Sequence, residues 1–286
     1  MRRRQLDDSW KHWLKENIER QCDPEELFCI LVENHFSLET IKAAMGDHDP
    51  TRLPPATVAS DTPSDIDYTA IAETRLTHPD KCPQAKRFPS DLVQLYTIDD
   101  FMSPDECDAI SEIICRNLCP SAITGAAYEP DKYFRTSSTS YLGLIRNELV
   151  ETLEEKIART LGIRASYSEG LQGQHYSVGQ EFKAHTDFFE PGTEEYAEYG
   201  AEYGNRTWTF MVYLNDVPKG GGTHFINLAH IFQPKKGQAV IWNNLYHNGA
   251  PNYNVLHAGM PVEEGYKVII TKWFWEHGSG PMFYSE

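Results

Sequence analysis

No run in these 286 residues approaches the roughly 18 consecutive apolar side chains of a membrane-crossing helix. The opening MRRRQLDDSW has basic residues but no apolar segment behind them, so no secretory signal is expected. Positive charge is in short supply: 26 Lys and Arg against 42 Asp and Glu give a formal charge of -16. A nucleic-acid partner is therefore not expected, because phosphate binding needs a basic surface. A neutral or basic substrate is easier to accommodate, and the acidic excess also serves solubility. Cysteine is sparse, at positions 22, 29, 82, 107, 115 and 119, with no CxxC pair. That spacing fits neither a zinc knuckle nor a secreted disulfide framework. The cysteines read as buried free thiols, and a cytoplasmic location without membrane attachment is expected. Internal repeats and low-complexity tracts are absent.

What is present suffices for one full-size domain and a small accessory region. Hydrophobic residues make up 40% and aromatics 12%, which suits a β-rich interior. Residues 1–48 read as a small helical region. Trp10, Trp13, Leu14 and Ile18 recur at helical spacing. Asp23 offers an N-cap, Pro24 suits the first helical position and Glu26 completes a capping box before Leu27, Phe28, Ile30 and Leu31. A third helix starts at Ser37, buries Leu38, Ile41 and Met45, and stops at Gly46. The three resemble a ubiquitin-associated module in shape only, and packing on the main domain is the expectation. Residues 49–88 hold prolines 50, 54, 55, 63, 79 and 83, and read as a linker or an extended arm.

Residues 89–286 form the main domain. Ser103, Pro104 and Glu106 open a helix that reaches about Leu118, with Ile110, Ile113 and Ile114 on one face. A second runs 147–161 with Leu149, Leu153, Ile157 and Leu161. Short strands follow at 207–214, 238–242 and 267–275. Helices first and many short strands afterwards suggest a mainly β, α+β architecture: a sandwich or barrel buttressed by helices.

The chemistry-bearing signal is HTDFFE, which sets His185 and Asp187 two residues apart. On a strand such residues point to one face, so an imidazole and a carboxylate can reach the same cation. The third ligand must come from elsewhere. His257 in VLHAGMPV is a candidate, and His175, His224, His230 and His247 compete with it on spacing alone. Two histidines and one carboxylate on iron(II) leave positions open for O2 and a chelating co-substrate. The mixed set does not suit a closed structural zinc site. A second HxD, His78-Pro79-Asp80, lies in a proline-rich stretch where no strand is expected, and reads as a decoy.

Around this core run QHYSVGQEFKAHTDFFE, RTWTFMVYLNDVPKGGGTHF, QPKKGQAVIWNN and LHAGMPVEEGYKVIITKWF, with FRTSS upstream at 134–138. In that order and spacing, roughly residues 90–275 resemble the prolyl 4-hydroxylase branch of the 2-oxoglutarate and iron(II)-dependent dioxygenases. The resemblance implies a double-stranded β-helix core, a jelly-roll of two sheets. It implies Fe(II) on His185, Asp187 and His257, and 2-oxoglutarate held by its distal carboxylate on Lys267. Tyr176 matches a tyrosine that hydrogen-bonds that carboxylate, and Thr223 a threonine lining the same pocket. Trp273 matches an aromatic near substrate and Arg135 a position at the substrate mouth. O2 and, as an optional reductant, ascorbate complete the implied set. The implied reaction decarboxylates 2-oxoglutarate to succinate and CO2 while a substrate C–H bond is hydroxylated. Asp187 also speaks against the related halogenases, in which a small residue leaves room for chloride.

Elementary chemistry agrees at Lys267, because an ammonium inside a narrow barrel needs an anion and a dicarboxylate supplies one. Strand alternation puts Lys267, Ile269, Thr271 and Trp273 on one face and turns Lys272 outward. Plain structural roles stand beside these readings: Tyr176 and Trp273 as core, Thr223 as a turn residue after three glycines. The insertion PGTEEYAEYGAEYGN carries Glu194, Glu195, Glu198 and Glu202 with Tyr196, Tyr199 and Tyr203, and reads either as a lid over the mouth or as a solvated acidic loop. Three functions follow: hydroxylation of a prolyl residue in a peptide or protein, hydroxylation of a free amino acid or small metabolite, or a non-catalytic binding module. The intact triad and Lys267 argue against the last.

Overall fold

A computed structural model of the chain describes residues 5–6, 8–19, 24–33, 36, 38–45, 66–121, 135–190, 192–193 and 196–285. The expectations placed on Asp23, Ser37, Gly46, Glu194, Glu195 and residues 49–65 of the 49–88 arm lie outside them.

Two antiparallel sheets make the core. The larger has eight strands, in the order Ala85–Arg87, Leu95–Ile98, Ala239–Asn243, Arg206–Tyr213, Lys267–Trp275, Gln172–Tyr176, Ser138–Tyr141 and Cys119–Pro120. The smaller has four: His230–Phe232, Thr223–Phe225, His257–Gly259 and Phe182–His185. The jelly-roll expected from the sequence is the fold observed.

The central strand Lys267–Trp275 is buried at all nine positions. Its two faces serve different layers. Val268, Ile270 and Phe274 join a core with Ile110 and Ile114 of helix Pro104–Arg116 and Leu153 and Ile157 of helix Glu148–Leu161. Ile269 faces the interior between the sheets with Tyr176, Met211, Phe225 and Trp242. Covering both faces explains why the strand is not cleanly amphipathic. It also corrects the reading of Lys272. That residue does point away from Lys267, but into the helix layer rather than solvent. It is 2% exposed, and its Nζ donates to Glu154 Oε1 at 2.9 Å and to the Glu169 carbonyl at 2.7 Å.

The two helices begin where their capping residues dictate. Ser103 Oγ accepts from the Glu106 amide while the Glu106 carboxylate accepts from the Ser103 amide, with Pro104 at the first position. Asn147 Oδ1 caps the second helix, and Gly162 closes it at φ 95°.

The N-terminal helices Asp8–Glu19, Pro24–Glu33 and Leu38–Met45 bury Trp10, Trp13, Leu14, Phe28, Leu31, Ile41 and Met45 in one cluster with Cys119, against Tyr141 and Leu144. They therefore pack on the main domain, as expected, and cover its edge strand. Ile18 is the exception, 44% exposed; Asn17 completes the buried face instead, donating to the Trp13 carbonyl at 2.8 Å. The helical turn Tyr68–Ala72 lies on the domain too, its Ile71 carbonyl accepting from Trp208 Nε1 at 2.8 Å. Cys82, Cys107 and Cys119 are buried free thiols, but Cys115 is exposed, at odds with the sequence expectation. No helix among the described residues is long and apolar enough to cross a membrane.

Candidate active site

The smaller sheet supplies both imidazoles. His185 ends one strand and His257 begins the next, as a directly opposed cross-strand pair with ring centroids 4.3 Å apart. Asp187 follows two residues after His185. One ligand atom from each of the three lies within 4.8 Å of the others, and His185 Nε2 is 3.8 Å from Asp187 Oδ1. His257 is thus the third member. His78, His175, His224, His230 and His247 join no such group among the described residues. His175 instead stacks on Tyr266, and His230 packs on Phe88.

The backbone selects the tautomers. His185 Nδ1 lies 2.7 Å from the Lys183 carbonyl and His257 Nδ1 2.9 Å from the Val255 carbonyl. A carbonyl can only accept, so each Nδ1 carries the proton and each Nε2 keeps its lone pair for a cation. Burial, then the neighbouring His257, holds the His185 imidazole below its ordinary pKa and hence neutral. Burial works against ionised Asp187, but His257, His185, Arg206 and the Thr209 hydroxyl outweigh it and hold the carboxyl below its ordinary range. Thr209 Oγ1 donates to Asp187 Oδ2 at 2.7 Å. Phe182 stacks on His185 at 3.6 Å, and Phe225 and Trp242 wall in His257 at 5.4 and 4.9 Å.

One cavity is lined by all eight residues singled out from the sequence: Arg135, Tyr176, His185, Asp187, Thr223, His257, Lys267 and Trp273. Lys267 is directly opposite Tyr176 in register and lies with Nζ 4.3 Å from that ring's centre. It is 1% exposed, and among the described residues no carboxylate pairs with it. Burial pushes its pKa down to about 7. The ammonium sits against Gly259, where even a Cβ would come within 3.4 Å of Nζ. Thr223 Oγ1 accepts from the Tyr213 hydroxyl at 2.7 Å. Arg135 lies over Phe182 at 4.8 Å, and Trp273 lies under the Arg206 guanidinium at 4.4 Å.

Several site residues were not singled out from the sequence: Thr209, Asn244, Tyr213, Gln174, Thr271 and Arg206. Thr209 had a legible signal. It shares the inward face of strand Arg206–Tyr213 with Met211 and Tyr213, where a hydroxyl among apolar neighbours calls for a partner. Arg206, whose Nη2 donates to Glu169 Oε2 at 3.0 Å, depends on a residue 37 positions away and had none.

The donor set fits both groups that the sequence implied. Two neutral Nε2 atoms and one carboxylate suit iron(II) and leave room for further ligands. A buried ammonium with no counter-ion is a site for a carboxylate. Residues 171–275 match the 2OG-Fe(II) oxygenase superfamily. Chicken prolyl 4-hydroxylase subunit alpha-1 is 30% identical over 63% of this chain and 35% of its own length. The human subunit alpha-1 is 35% identical over 51% of this chain and 27% of its own. "Probable prolyl 4-hydroxylase 9" of Arabidopsis thaliana is 31% identical over 60% and 65%. The chain thus spans about a third of the animal subunits it matches. In fold it is similar to the viral collagen prolyl hydroxylase of Paramecium bursaria Chlorella virus-1, solved as a 2OG complex, with 24% identity and a TM-score of 0.50 over 63% of this chain and 95% of that one. Fold, site and matched residues point to a 2OG-Fe(II) oxygenase domain at residues 171–275, and along its matched part the chain is similar to prolyl 4-hydroxylases.

Proposed function

We propose that this chain hydroxylates a prolyl residue in a peptide or protein substrate. In balance, 2-oxoglutarate, O2 and the substrate C–H give succinate, CO2 and C–OH. The observation that carries the reading is the shared cavity: the His185, Asp187 and His257 ligand atoms and the buried Lys267 ammonium open onto one space. Iron(II), when bound, supplies the oxidising centre, and 2-oxoglutarate the two electrons that O2 needs beyond those of the C–H bond.

The chain's own residues bind and orient. His185 and His257 offer Nε2, fixed by their carbonyl-bound Nδ1 atoms, and Asp187 offers a carboxylate oxygen. Lys267 neutralises the far carboxylate of the co-substrate, with Tyr176 and Thr223 beside it. Phe182, Phe225 and Trp242 keep the surroundings dry, which strengthens these interactions. Trp273 and Arg135 face the substrate. In the segment 196–203, Tyr199 stacks on Phe189 at 5.7 Å and Tyr203 packs on Trp275 at 5.6 Å between centroids. The formal charge of -16 argues for a neutral or basic peptide and against a nucleic-acid substrate.

Mass spectrometry of proline-rich peptides and of free amino acids, each with enzyme, iron(II) and 2-oxoglutarate, tests the reading. A gain of one oxygen on proline within the peptide supports it. Oxygen gained only by a free amino acid or metabolite replaces it with the small-molecule alternative.

A further inference from the structure

We propose that Asn244 and Thr209 form a polarised hydrogen-bond relay that presents one oxygen of Asp187, Oδ1, to the metal. Both are positioning residues for the site, and the inference rests on the iron reading above.

Asn244 Nδ2 donates to Thr209 Oγ1 at 2.9 Å, and Thr209 Oγ1 donates to Asp187 Oδ2 at 2.7 Å. The direction is fixed by chemistry. An ionised carboxylate only accepts, so the single hydroxyl proton of Thr209 belongs to Asp187. The lone pair left on Thr209 then needs a donor, which Asn244 provides. If the Asn244 amide were turned round, its oxygen would compete with Asp187 for that one proton, and the charged acceptor would win. The relay occupies Oδ2, while Oδ1 is the oxygen 3.8 Å from His185 Nε2. A carboxylate tied at one oxygen resists closing both onto a cation, which keeps a coordination position available.

Three further features mark the relay as built rather than incidental. Thr209 and Asn244 are both 0% exposed, so their link is shielded from bulk solvent. Thr209 sits in the larger sheet, opposite Trp242 on one side and Trp273 on the other. Asp187 hangs from the smaller sheet, so the relay ties the two sheets together at the site. Asn244 is itself held by its backbone: its amide donates to the Thr207 carbonyl at 2.7 Å and its carbonyl accepts from the Asn252 amide at 2.9 Å. Yet its side-chain Oδ1 is buried with no hydrogen-bond partner among the described residues. A fold that leaves an amide oxygen unsatisfied while directing the other end at a metal ligand is one in which orientation matters more than local satisfaction.

The test is Mn(II) or Co(II) affinity, measured without turnover, for wild type, Thr209→Val, Thr209→Ser, Asn244→Ala and the Thr209→Val/Asn244→Ala double variant. Apoprotein melting curves report separately on folding. Thr209→Val keeps the shape and deletes the donor; its affinity is expected to fall about 10- to 100-fold. Thr209→Ser restores it to near wild type. Asn244→Ala loses less, and the double variant is no worse than Thr209→Val alone, because the two act through one oxygen. The Co(II) visible spectrum shifts in Thr209→Val and returns in Thr209→Ser. If Thr209→Val does not fold, Thr209→Cys and Asn244→Ala are read by the same measurements. Wild-type affinity and spectrum in the folded Thr209 variant, or full additivity in the double variant, overturn the relay alone. A wild type that binds neither metal overturns the iron reading, and the relay with it.

Discussion

Lys267 carries an ammonium that is buried with no counter-ion among the described residues, and burial takes its pKa from the ordinary 10.5 to about 7. Between those values the unfolded chain holds a proton that the folded chain does not. The stability of the ligand-free protein should therefore rise with pH across that window, while below about 7 the cost of burying Lys267 is at its largest and no longer varies with pH. Lys267→Met should stabilise the ligand-free protein at pH 8, on the order of 2 kcal/mol, while abolishing 2-oxoglutarate binding. Calorimetric unfolding across pH checks this, and parallel curves for the two proteins would refute it. The same asymmetry predicts that 2-oxoglutarate binding above pH 7 takes up a proton, read as a dependence of binding heat on the ionisation enthalpy of the buffer. At this scale much of the site was legible. His185, Asp187, His257, Lys267 and Tyr176 each have a motif or a strand period to mark them. Asn244 does not, and Thr209 has only its place on an inward strand face, because their partnership with Asp187 exists only once two sheets have closed.

Strand Lys267–Trp275 illustrates what a period can and cannot say. Alternation separates Lys267 from Lys272 correctly, but not what covers the second face. The helix Glu148–Leu161 does so, and Glu154 supplies the charge that Lys272 needs. Removing that charge by Glu154→Ala should destabilise the fold by about 2 kcal/mol, since it leaves a buried cation with the Glu169 carbonyl alone. Metal affinity should be unchanged, because the lesion lies on the far side of the sheet; loss of affinity in the folded variant would contradict the layer assignment. The capped helices were legible for the same reason that their ends are fixed: Ser103, Pro104, Glu106 and Asn147 act on neighbours within three residues. Ile18 was misjudged because helical spacing admits both it and Asn17, and only the packed surface chooses.

For the molecule as a whole, charge bears on what reaches the cavity. With a formal charge of -16, a proline peptide flanked by lysines should bind more tightly than one flanked by glutamates at low ionic strength. The gap should narrow as salt is added, because exposed charges are screened beyond about 8–10 Å at 0.1–0.15 M. A preference that ignores salt would place the selectivity inside the cavity instead. The jelly-roll itself was readable from the order of four motifs, but the way the N-terminal helices seal the Cys119–Pro120 edge was not, since it depends on Tyr141 of the neighbouring strand and Leu144 just beyond it meeting them.

The most direct test is succinate release from 2-oxoglutarate by the purified chain, with and without added iron(II), comparing wild type with His257→Ala. The account predicts iron-dependent succinate in the wild type, stimulated by a proline-rich peptide and lost in the folded variant. Equal succinate from both proteins, or none from a wild type that has bound iron(II), would contradict it.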